Sequence, residues 1–97
     1  MTYINPDRWT VPSESRLHWQ CWEDEYVVFN SGSGDTHLLD PVAAKALQSL
    51  EQKPANLSEL GRRVAAALEI KLDDNLSAYL ERLLSDFHRL GLVEPMK

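Results

Sequence analysis

Cysteine is nearly missing from this sequence, with Cys21 standing alone among 97 residues. A single thiol excludes an intramolecular disulfide framework and fits a reducing compartment, which points to the cytosol. Long apolar runs are missing too. No stretch approaches the roughly 20 apolar residues of a membrane span, and Met1 to Pro12 has no apolar signal-peptide core, so neither export nor anchoring is expected. Positive charge is in deficit: fifteen acidic against ten basic residues give a formal charge of -5. A field of that sign repels phosphate backbones, which makes nucleic acid a poor partner. Glycine is scarce, and Gly32 and Gly34 lack the following helix and lysine of a phosphate-cradling loop. The lone cysteine has no activating neighbours, and His18, Cys21 and His37 match no zinc spacing. The chain is therefore read as non-enzymatic, with no metal and no cofactor.

What is present suffices for one folded domain, since 43% of the residues are hydrophobic and the charged 26% are well mixed. Residues 1–15 form a Pro- and Ser-punctuated lead-in that packs in places through Tyr3, Ile4, Trp9 and Val11. From Arg16 to Trp22 apolar and polar residues alternate, with Leu17, Trp19 and Cys21 on one face and His18 and Gln20 on the other. That is a first strand, and Cys21 on its apolar face reads as core filling. After a polar, solvated tip at Glu23, Asp24 and Glu25, Tyr26 to Phe29 is an aromatic and β-branched run expected to be buried on much of its surface. Asn30 to Asp35 is turn chemistry leading into a third strand, Thr36 to Leu39, and Asp35 and Thr36 are expected to shape its entry.

The apolar period then changes from two to 3.6. Asp40 and Pro41 open a first helix with Ala43, Ala46, Leu47 and Leu50 on one face, running to about Glu51. Asn56 and Glu59 form a capping-box pattern ahead of Leu57, Leu60, Val64, Ala67 and Leu68. Asp73 caps a long third helix with a stripe of Leu76, Leu80, Leu83, Leu84, Phe87 and Leu90. Gly91 ends it in a Schellman pattern that brings Leu92 to Phe87, and Val93 is positioned to begin a short terminal strand. The fold class is α+β and winged-helix-like: a three-stranded antiparallel sheet followed by three helices, βββααα.

Tyr26-Val-Val-Phe29 followed by Ser33-Gly-Asp-Thr-His-Leu-Leu39 resembles the PqqD-like peptide chaperones, also called RiPP recognition elements. The likeness runs from about Arg16 to Glu94, giving a division into a lead-in, 1–15, and a peptide-binding domain, 16–97. Ser33 to Leu39 looks closest to the branch associated with proteins related to the HPr kinase. The resemblance implies capture of the leader of a ribosomally made precursor peptide, added as a strand to the third strand and laid against the third helix. The leader is then presented to a peptide-modifying enzyme or HPr-kinase-related protein.

The residues permit this. Thr36, His37, Leu38 and Leu39 include no proline, lysine or inward charge to blunt a strand edge. Tyr79, Arg82, Leu83, Asp86 and Phe87 are the side chains of the third helix expected to select the peptide, with Arg82 suited to an acidic leader residue. His37 reads equally well as an edge histidine facing water. An open edge also admits a second copy, so a homodimer is an alternative occupant. Trp9, Trp19 and Trp22 exceed what this core needs; partial burial is one reading and a protein interface the other. Two other functions compete. A winged-helix DNA-binding regulator would need a basic recognition helix, and the second helix offers only Arg62 and Arg63. A structural subunit of an enzyme complex would need an apolar docking patch.

Overall fold

The computed structural model describes residues 8–96. Its elements are β1 (Arg8–Thr10), β2 (Leu17–Trp22), β3 (Glu25–Asn30), β4 (Asp35–Leu39), α1 (Pro41–Gln52), α2 (Leu57–Leu68), α3 (Asp74–Arg89) and β5 (Glu94–Met96). The expected antiparallel sheet is present in the order β2-β3-β4, followed by the three helices.

Each helix begins where its cap dictates. The Asp40 carboxylate accepts the Ala43 amide at 2.7 Å, and the Asp73 carboxylate accepts that of Leu76 at 2.9 Å. At α2 the capping box is reciprocal: Asn56 Oδ1 accepts from the Glu59 amide at 2.7 Å, and Glu59 Oε1 accepts from the Asn56 amide at 3.0 Å. Gly91, at φ +77°, ends α3 with both bonds of a Schellman motif, Leu92 N to Phe87 O at 2.8 Å and Gly91 N to His88 O at 3.1 Å. Phe87 and Leu92 are both buried.

The core lies between the inner sheet face and the helices, joining Val28 to Ala46, Leu47, Leu50, Leu60, Val64, Leu80, Leu84 and Phe87. Two residues of the expected helical stripes lie outside it. Ala67 is exposed, its place on α2 taken by Ala65, and Leu90 is exposed because it is the C-cap of α3, where the chain already turns away.

The sheet is less buried than its sequence suggests. Val28 and Asn30 are buried, but Phe29 on the opposite side is 39% exposed, so β3 is covered on one face only. Cys21 shares the inner face with Leu17 and Trp19 yet is exposed, not core filling. It pairs with Tyr26, and burial falls away toward the Glu23–Asp24 turn, beyond the helical layer. The β3–β4 turn is shaped by neighbours of the residues expected to do so. Buried Asn30 accepts the Gly32 amide on its side chain at 2.9 Å, and the Ser33 hydroxyl accepts the Asp35 amide at 3.3 Å.

A second, two-stranded sheet went unforeseen in its pairing. β1 lies antiparallel to β5, with Arg8 opposite Met96 and Thr10 opposite Glu94. The terminal strand starts at Glu94, one residue past Val93, which is itself buried. Trp9 adds a bridge to Ala55, donating to its carbonyl at 2.8 Å and accepting from its amide at 3.1 Å, and stacks edge-on against His88. Arg8 Nε meets Glu59 Oε1 at 3.4 Å. The bond from the Asn56 backbone and then that from Arg8 hold the Glu59 carboxyl below its usual range. Among the described residues no helix is long and apolar enough to cross a membrane.

Candidate functional site

In the order β2-β3-β4 the outer edge of β4 carries no neighbouring strand among the described residues, and β5 is spent on β1. Alternate residues of an antiparallel edge strand direct their N–H and C=O away from the sheet, and these groups need a partner.

Strand alternation divides the β4 candidates between two faces. His37 lies opposite the buried Val28, and Leu39 opposite Tyr26, so both point toward the helices and both are half-buried. Thr36 and Leu38 point the other way and are exposed. His37 Nε2 is shut off from solvent with no hydrogen-bond partner among the described residues. A lone polar atom in that state costs about 1–3 kcal/mol, a burden that well-packed interiors avoid and binding sites carry.

The second wall is α3. Tyr79 donates its hydroxyl to Asp40 Oδ2, which fixes α3 beside the C-terminal end of β4. Asp40 thus serves two masters, the α1 amide and the α3 phenol. Burial, followed by the bond to Asp40 and its negative charge, pushes the Tyr79 phenol up to about 12. Arg82 and Asp86 also act on Tyr79, with opposite signs, so the three polar heads lie near one another along the helix. Arg82 is exposed and has no ion-pair partner among the described residues, whereas Asp86 holds Arg89 at 2.7 Å. Leu83 and Phe87 belong to the core, at 8% and 2% exposure, and offer a floor more than a contact surface. Thus Tyr79, Arg82 and Asp86 share one stretch of α3 that is tied to the end of β4 through Asp40, while His37 and Leu39 face the helical side of the strand and Thr36 and Leu38 its far side.

Among the described residues no group of three or more His, Cys, Asp or Glu is arranged to hold a metal ion. Arg63 of α2 donates to the carbonyls of Lys53 at 3.0 Å and Pro54 at 3.3 Å, bracing the α1–α2 connection.

A strand edge open beside a helix is the arrangement the resemblance implies, and comparison with known proteins bears on it directly. Residues 25–93, from the start of β3 to the end of the core, match the family model described as coenzyme PQQ synthesis protein D (PqqD). The chain belongs to the PqqD family. Among solved structures it is similar to the one titled "TbiB1 in Complex with the TbiA(beta) Leader Peptide", with a TM-score of 0.66 and 17% identity over 91% of this chain and 98% of that one. At that identity the likeness is one of fold. No curated protein matches the sequence.

Two features of this region escaped the sequence. Asp40 reads as a helix cap and nothing more, because its Tyr79 partner is 39 residues away. Phe29 reads as core because aromatic residues favour buried strands, and only the register shows it on the outer face.

Proposed function

We propose that this chain is a peptide chaperone without catalytic activity of its own. It takes the leader of a ribosomally made precursor peptide as an added strand on β4 and presents it to a modifying enzyme. The observation that carries this reading is the unpartnered β4 edge beside α3 in a chain of the PqqD family. A fold likeness to TbiB1, solved with a leader peptide, lends support.

The binding unit spans residues 16–97, with 1–15 as a lead-in that reaches β5 through Arg8–Thr10. Main-chain hydrogen bonds from Thr36 to Leu39 supply affinity that is blind to sequence. Selection falls to the side chains beside the new strand. On the helical side these are His37, Leu39, Tyr79, Arg82 and Asp86, over the floor of Leu83 and Phe87. Arg82, an exposed cation with no ion-pair partner among the described residues, attracts a leader carboxylate. Ordering a flexible peptide costs about 2–5 kcal/mol, so affinity is modest and release to the enzyme remains possible. The partner enzyme is of the HPr-kinase-related kind suggested by Ser33 to Leu39, and the compartment is the reducing cytosol that a lone exposed thiol suits.

A DNA-binding reading is weaker, because the net charge is -5 and Arg63 is engaged with backbone carbonyls. The test is an NMR titration of labelled protein with leader peptides encoded beside its gene. Shifts concentrated in Asp35–Leu39 and along the Tyr79–Asp86 face of α3 are expected. An absence of shifts with every leader, alongside a stable complex with the neighbouring folded enzyme, would replace leader capture with a structural-subunit role.

A further inference from the structure

The sheet face turned away from the helices is apolar where water is its neighbour. Antiparallel sheets covered on one side alternate apolar inward and polar outward. Here the outward positions include Trp22, Val27, Phe29 and Leu38, with Trp22 57% and Leu38 67% exposed. No helix or strand among the described residues covers them.

The register arranges these side chains in a definite order. Gln20 lies opposite Val27, and Val27 opposite Leu38, so one outward row crosses all three strands and stops at the open edge. The adjacent row is His18, Phe29 and Thr36, which makes Phe29 the diagonal neighbour of Leu38. A strand added to β4 must extend both rows, because its side chains alternate between the faces just as those of β4 do. One leader residue then stands directly opposite Leu38 on the outer face, at cross-strand contact distance. A polar residue there would leave Leu38 wet; a large apolar one removes its exposed surface and its own from water.

We propose that the leader residue paired with Leu38 is a large apolar side chain completing the Val27–Leu38 row, so that the leader is read on both of its faces. One face is read by His37, Leu39 and α3, the other by the outside of the sheet. This inference rests on strand addition at β4 and narrows the ligand class. The captured segment carries an apolar residue on its outward face as well as the side chains it turns toward α3.

The probe is a fluorescein-labelled synthetic leader from the precursor gene beside this one, with copies in which each apolar residue in turn is replaced by Ser. Binding is followed by anisotropy against the native chain, Leu38→Ser and Trp22→Ser. Leu38→Ser is expected to weaken the native leader about three- to tenfold. One Ser-substituted leader should lose a similar factor against the native chain and lose nothing further against Leu38→Ser. Trp22→Ser, on the same face but on β2, should bind the leader like the native chain. Circular dichroism checks that both variants fold, as their exposure leads one to expect.

If the leader binds, with shifts along β4, and Leu38→Ser is without effect, the inference is overturned while leader capture stands. Equal losses in Leu38→Ser and Trp22→Ser would also overturn it, since the effect would then belong to the whole face. If Leu38→Ser instead abolishes self-association and spares the leader, the row serves a contact between copies and the inference fails. A leader that binds none of the three proteins sinks strand addition itself.

Discussion

The helical body and the outer side of the sheet are built from similarly apolar residues and put them to opposite use. In α1, α2 and α3 nearly every large aliphatic side chain is spent on the core, and each N-terminus is closed by a cap. On the sheet, Trp22, Phe29 and Leu38 stay in contact with water, and among the described residues the outer edges of β2 and β4 have no neighbouring strand. The apolar surface that holds the fold and the apolar surface left open are therefore separated in space. A mutation in one region should leave the other's property nearly intact, and that separation is open to measurement.

The largest effect is expected at Leu80, which is fully buried where α3 meets the core. Leu80→Ala should cost about 2–5 kcal/mol in denaturant unfolding. A loss below 1 kcal/mol would show that the helical body is not where stability resides. Next comes Asp40, which caps α1 and also accepts the Tyr79 hydroxyl of α3. Asp40→Ala removes the α1 cap and the Tyr79 bond at once, and about 1–2 kcal/mol should go with it.

The same variant tests the phenol. Tyr79 is raised in the folded state from an ordinary value near 10 to about 12. Its contribution to stability is thus held in full below about pH 10 and lost as pH rises through about 12. Ultraviolet titration should show one late-ionising tyrosine that moves earlier in Asp40→Ala and disappears in Tyr79→Phe. Smaller again is the effect at Glu69, which ends α2 in the left-handed region at φ 55°. Glu69→Gly should stabilise by up to about 1 kcal/mol, seen as a shifted urea midpoint with unchanged slope. Smallest is Leu38→Ser, expected to alter unfolding by less than about 0.5 kcal/mol, since an exposed position carries little of the fold. A large loss there would erase the comparison.

The helical body is also the part that the sequence made legible. Asp40, Asn56, Glu59, Asp73 and Gly91 are local signals, each acting within one turn of itself, so they can be read without knowing the tertiary structure. The strand order follows from two short turns. Two kinds of feature did not show. Burial at the sheet depends on which face the helices cover and how far along they reach, so alternation set Cys21 in the core and aromatic, β-branched composition set Phe29 there. β1 was hidden because Arg8–Trp9–Thr10 is too short to display a period and its partner lies at the far end of the chain. At the candidate site the strand and the helix were legible. The division of Thr36 and Leu38 from His37 and Leu39 required the register, and the Asp40–Tyr79 link required the packing.

The pairing of β1 with β5 has a kinetic consequence. Every other ladder joins segments separated by a short turn, whereas this one closes a loop holding nearly the whole described chain. Loop closure of that span is the slowest kind of contact to form, and three residues on each side repay little of its entropy. The β2–β3–β4 meander and the helices can assemble first, with Trp9 docking on Ala55 as a final clasp. In hydrogen exchange, the amides of Arg8–Thr10, Glu94 and Met96 would be the first of the ladder amides to open.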